Sequence, residues 1–241
     1  LHLADNTLIL SQRNSEWCGH GPVLEQDIAI TNISLDLLGQ ARNLYSYAAT
    51  LIGGDATEDS LAYLRKEREF KNLLLTEQAN GDWGQTILRQ YCFSQYQYAL
   101  YQQLLNSKDE QLAAIAEKSI REVAYHLRWS SEWVIRLGDG TEESHRRMLK
   151  AIEAIWTYTG EMFLAADYEQ TLLKEGIAAD LEKIKTEWLA KTEAIFAEAT
   201  LPVPANVFMQ TGGKNGIHTE HMGFLLTELQ YMQRAYPGAK W

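Results

Sequence analysis

Cysteine and proline are scarce, with 2 and 4 in 241 residues. Two thiols, Cys18 and Cys92, are too few for a disulfide framework. This excludes the small cross-linked secreted class and fits a cytoplasmic protein. With so little proline and no Pro/Ser-rich linker, nothing marks a division, and a single domain over residues 1–241 is expected. No apolar run reaches the roughly 18 residues of a membrane span. The first residues lack the basic and apolar regions of a secretory signal, so none is expected. Positive charge is also short: 22 basic against 32 acidic residues give a net charge of -10. No basic patch interleaved with aromatics appears, so nucleic acid is not an expected partner. No stretch alternates like a strand, repeats, or falls to low complexity.

Aromatic residues are plentiful: 7 Trp, 12 Tyr and 6 Phe. Many belong in a core, and the number also suits a large subunit interface.

The remaining pattern is helical. Residues 22–54 read as one long helix, with Pro22 at its first position and Gly53-Gly54 at its end. Val23, Leu24, Ile28, Ile33, Leu37, Ala41, Leu44, Ala48 and Leu51 recur at helical spacing. A narrow polar line, Asn32, Asp36, Gln40 and Asn43, runs between apolar flanks. Two readings are equally open: polar groups aimed into a helix bundle, or a polar seam against a partner chain.

Before it, Asp5-Asn6 is the expected cap of a short helix ending near Gly19. After it, Thr57-Glu58-Asp59 opens a helix that Asn80-Gly81 interrupts and that resumes from Asp82 to about Leu105. A Ser107–Glu110 capping box opens a third long helix to about Leu137. Thr141 caps a fourth, to about Ala166. Shorter helices follow over 167–175, 181–198 and 218–235. The loop 211–216 is glycine-rich and expected to be flexible. The fold class is therefore all-α, with four long helices around one core.

A carboxylate-bridged di-iron bundle uses single Glu or Asp residues on two helices and Glu-x-x-His on two others. The i, i+3 spacing puts carboxylate and imidazole on one face. Asp36 is the candidate on the first long helix, and Glu122, with His126 one turn on, is the candidate on the third. Glu69-x-x-Asn72 and Glu153-x-x-Trp156 have the spacing, with Asn and Trp where His is needed. An amide oxygen is a poor substitute for imidazole at iron, and indole offers only an N–H. Buried carboxylates without metal need counter-charges. Arg42, Arg65, Lys66, Arg121 and His126 lie close along the same helices. The expectation is that such pairs replace the metal.

Three other features have plainer readings. Glu142-Glu-Ser-His145 lies in a first turn, where capping explains the acids. His218-Thr-Glu-His221 lacks a further zinc ligand, so a structural role is expected. The Lys214 loop resembles a phosphate-gripping loop only in composition.

Longer blocks carry a family resemblance. SEWCGHGPVLEQDIAITNISLDLLGQARNLYSYAA, REFKNLLLTEQANGDW, EVAYHLRWSSEWVIRLGDGTEES and TGGKNGIHTEHMGFLLTELQYMQRAYPGAKW resemble the structural (C) subunits of bacterial 1,2-phenylacetyl-CoA epoxidases, over nearly the whole chain. The resemblance implies a ferritin-like bundle with additional shorter helices, and a place in aerobic phenylacetate catabolism. It implies a non-catalytic component of a monooxygenase complex, with no cofactor of its own. The expected partners are a homologous catalytic A subunit holding the di-iron centre and a small B subunit. A homodimer is an alternative for the isolated chain. The resemblance also implies contacts with the CoA ester at Glu69, Phe70, Lys71 and Asn72, at Gln170, Thr171 and Leu172, and at Pro237. The competing expectation is a catalytic di-iron oxygenase with atypical ligands.

Overall fold

The computed structural model describes residues 1–239. Its helices are α1 (His2–Ser15), α2 (Leu24–Ile52), α3 (Glu58–Tyr63), α4 (Leu74–Glu77), α5 (Trp83–Leu104), α6 (Glu110–Gly138), α7 (Glu142–Ile155), α8 (Asp167–Lys174), α9 (Leu181–Glu198) and α10 (Glu220–Ala235). Among the described residues there is no strand, so the chain is all-α, in keeping with the ferritin-like class. No helix among them is long and apolar enough to cross a membrane.

The chain groups into two compact units, residues 1–79 with those from 211 onward, and residues 80–210. In the first, α1 lies along α2, and the Ser11 hydroxyl donates to the Ser34 carbonyl at 2.7 Å. α3 packs on α2, α4 on α1, and α10 on both α3 and α4. In the second unit α5 is central, packed by α6, α7 and α9. Every residue from Thr86 to Gln97 is buried, so α5 shows no solvent face there. α6 is one-sided instead, burying Ile115, Ser119, Val123, His126, Ser130 and Val134 at helical spacing.

Several sequence expectations need correction. α1 begins at His2, so Asp5 and Asn6 lie inside it, buried, rather than capping it. α2 begins at Leu24, with Val23 rather than Pro22 at its mouth. Val23, Leu24, Ile28 and Leu51, which share the helical period with buried Ile33, Leu37, Ala41 and Leu44, are exposed. The helix expected from residue 57 breaks after Tyr63 into a 3-10 turn over Glu67–Glu69, an extended stretch and α4. α7 stops at Ile155 and continues as 3-10 turns. The four longest helices are therefore α2, α5, α6 and α9. Asp109, not Ser107, caps α6: its carboxylate accepts from the Leu112 N–H at 2.9 Å. Ser107 instead donates to the Ile177 carbonyl at 2.8 Å.

The 211–216 loop is not a loose one. A Cβ on Gly213 would sit 2.1 Å from the Asn72 carbonyl oxygen, and one on Gly216 would sit 2.2 Å from that of Arg68. The loop is glycine-rich because it lies directly on the 68–74 backbone. Lys214 is buried with it, not held out to a phosphate.

Candidate functional site

Two buried polar clusters in the first unit converge on the 65–77 segment. In one, Asp5 on α1 meets Arg65, just after α3. Arg65 binds both Asp5 carboxylate oxygens. The Tyr45 hydroxyl donates to the same carboxylate at 2.5 Å and the Lys71 N–H at 2.7 Å. The Arg65 guanidinium lies 4.1 Å over the Phe70 ring. Tyr45 has its pKa raised well above the ordinary range, first by burial and then by the Asp5 charge. A buried charge pair holds only with such full satisfaction of its lone pairs and N–H groups.

In the other cluster, the fully buried Glu77 carboxylate accepts four hydrogen bonds. They come from the Asn72 amide at 2.9 Å, His218 Nδ1 at 2.8 Å, the Thr219 N–H at 2.6 Å and the Thr219 hydroxyl at 2.8 Å. His218 Nε2 donates to the Phe70 carbonyl at 3.1 Å. Both ring nitrogens thus face acceptors, which favours the doubly protonated imidazolium. Burial alone would lower the His218 pKa. The Glu77 hydrogen bond and charge, with the Phe70 carbonyl, outweigh burial and raise it.

The residues expected at a degenerate di-iron site lie as follows. Asp36 is half-buried on α2. Glu69 is exposed, and its carboxylate accepts from the Lys66 N–H at 2.7 Å. It stands on the 3-10 turn and Asn72 on extended chain, so their spacing is not helical and they share no face. Asn72 is buried, its amide committed to Glu77.

In the second unit Glu122 is half-buried and His126 fully buried on α6. Glu153 is exposed on α7. Trp156 lies in an aromatic core, its ring 5.7 Å from both Trp188 and Phe196. The Trp188 indole N–H donates to the Cys92 carbonyl at 3.0 Å.

These positions do not fit a di-iron centre. Two of the acids face solvent, and the Asn and Trp standing for histidines are bound into other structure. Among the described residues, no three His, Cys, Asp or Glu side chains are grouped to hold a metal. Of the expected counter-charges, Arg65 pairs with Asp5 rather than with the acids named from sequence. Arg42 lies 3.7 Å from Glu58 at the surface.

Of the expected CoA contacts, Phe70 and Asn72 are buried, Lys71 is half-buried and Glu69 is exposed. Gln170, Thr171, Leu172 and Pro237 are all exposed. His145 donates to the Gly138 carbonyl at 2.7 Å, a structural role. His218 precedes α10 and shares no helical face with His221, whose carbonyl accepts from Arg13 at 3.4 Å.

Sequence reasoning missed Asp5 as a buried anion and missed Glu77 altogether. The signal for Glu77 was present: a lone acid two residues after the apolar run Leu73–Leu75.

Comparison with known proteins adds two findings. The chain is 52% identical to the C subunit of 1,2-phenylacetyl-CoA epoxidase from Escherichia coli (strain K12), over all of this chain and 97% of that protein. The family model described as phenylacetic acid catabolic protein matches residues 1–241. Full-length agreement at this identity leaves no part of the fold outside the match, and the chain belongs to the phenylacetic acid catabolic protein family.

Proposed function

We propose that this chain is a non-catalytic structural subunit of a multicomponent phenylacetyl-CoA epoxidase. It would stabilise a homologous catalytic subunit that carries the di-iron centre, and a further small subunit would join the two. The supporting observation is the fate of the two positions where such a centre needs histidine. Asn72 is spent on Glu77, and Trp156 is packed against Trp188 and Phe196. The buried acids near the first of these are neutralised by Arg65 and His218, so a metal is not needed to hold them. The likeness to a protein named as one subunit of an epoxidase supports membership of a larger assembly.

Contact with the CoA thioester falls to Lys71 more naturally than to its neighbours. Phe70 and Asn72 are buried, whereas the Lys71 ammonium can meet a phosphate.

The test is reconstitution. The chain alone should give no turnover of phenylacetyl-CoA with reductant and dioxygen. Added to a homologous di-iron subunit, it should raise that subunit's stability and turnover. Turnover by the chain alone would point to an oxygenase with atypical ligands.

A further inference from the structure

Residues 70–73 run extended between a 3-10 turn and α4, and they belong to no sheet. Their backbone groups have no ladder to bind, so other groups must satisfy them. Side chains do so, one after another. The Glu69 carbonyl accepts from Arg65 at 2.9 Å, and the Phe70 carbonyl accepts from His218. The Lys71 N–H donates to Asp5, and the Lys71 carbonyl accepts from His2 Nδ1 at 2.6 Å. The Leu73 N–H donates to the Asn6 amide oxygen at 2.7 Å.

Three of these side chains, His2, Asp5 and Asn6, stand at i, i+3 and i+4 on one face of α1, all buried. Asn6 acts twice, because its amide nitrogen also donates to His2 Nε2 at 3.3 Å. That contact makes Nε2 the acceptor and puts the ring proton on Nδ1, where the Lys71 carbonyl needs it. Buried polar groups are costly, and a helix would satisfy the same backbone without them. Of residues 70–73, Lys71 alone is not buried. Its ammonium lies against the 211–216 loop: a Cβ on Gly216 would sit 3.2 Å from Lys71 Nζ.

We propose that His2, Asn6 and His218 are positioning residues for Lys71. They hold the backbone on both sides of it, so that the ammonium stands ready for a phosphate of the CoA ester before the ester arrives. This rests on the assignment of that contact to Lys71 above. The three act through the backbone and not on the ligand. Binding then has no segment left to order, and the affinity that ordering would cost is kept.

The test is KM and kcat for phenylacetyl-CoA in an epoxidase reconstituted from this chain with homologous catalytic and small subunits. His2→Ala and Asn6→Ala should each raise KM about tenfold and leave kcat unchanged, the scale of one lost hydrogen bond to a well-held group. His2→Asn keeps an N–H donor at the same reach and should recover most of the loss. His2 is the first residue of α1, so its variants carry the test where Asn6→Ala does not assemble. Lys71→Ala should raise KM at least as much, and His2→Ala should add nothing in that background. Unchanged KM in Lys71→Ala would remove the phosphate contact itself. Raised KM in Lys71→Ala with wild-type KM in the α1 variants would overturn the positioning alone, as would full additivity in the double variant. A fall in kcat that tracks a fall in assembly would make His2 and Asn6 merely structural.

Discussion

Glu77 and His218 meet at 2.8 Å across 141 residues of sequence, both side chains fully buried. Asp5 and Arg65 form a second buried ion pair, and both pairs adjoin the 65–77 segment. Each of these two buried carboxylates is thus balanced by a cation of the chain itself.

The His218 pair makes stability depend on pH. The folded-state pKa is raised above the unfolded value, which for histidine is about 6.5. The contribution is therefore complete below the unfolded value and declines as pH rises through the folded one. Urea denaturation of the wild type and of His218→Gln, from pH 5.5 upward, should show the gap between them narrowing toward alkaline pH. A gap that widens would mean the imidazole is neutral in the fold.

Removing one partner of the Asp5–Arg65 pair should cost about 3–5 kcal/mol, because a charge is stranded in the interior. Arg65→Met or Asp5→Asn alone should show this in chemical denaturation. The double variant Asp5→Leu with Arg65→Met should lose much less, although Tyr45 and the Lys71 N–H still forfeit their acceptor.

Gly213→Ala should destabilise the first unit by on the order of 2 kcal/mol, since the new methyl meets backbone and not a movable side chain. Gly19→Ala, with open space around it, carries only the strain of its positive φ and should cost less. Thermal melts of the two variants separate contact from strain.

Restoring histidine should not restore a metal centre. Trp156→His removes a ring from the Trp188 and Phe196 cluster and should cost on the order of 3 kcal/mol. Asn72→His must displace the amide bound to Glu77. The double variant should be less stable than the wild type and should take up no more iron. Stoichiometric iron in it would show that the ligand framework survives.

Much of the helical frame was legible because it rests on local chemistry. Asp82, Thr141 and the 3.6-residue pattern of α6 set their elements without help from elsewhere. The break after Tyr63 was not legible. Residues 64–72 contain no proline or glycine, and they leave the helix because Arg65 turns inward to an aspartate 60 residues away. The same distance hid Asp5, whose place near the N-terminus imitates a cap. Leu24 and Ile28 fitted the helical period while facing outward, since periodicity identifies an apolar stripe but not what covers it. Asn72 and Trp156 were recognised as unsuited to iron from their chemistry. What holds each of them depends on residues distant in sequence.

The most direct test of the central claim is the iron content of the purified chain, by elemental mass spectrometry after expression in iron-replete medium. The account predicts strongly substoichiometric iron, with no change in Asp36→Ala or Glu122→Ala. A pair of irons per chain, lost in those variants, would contradict it.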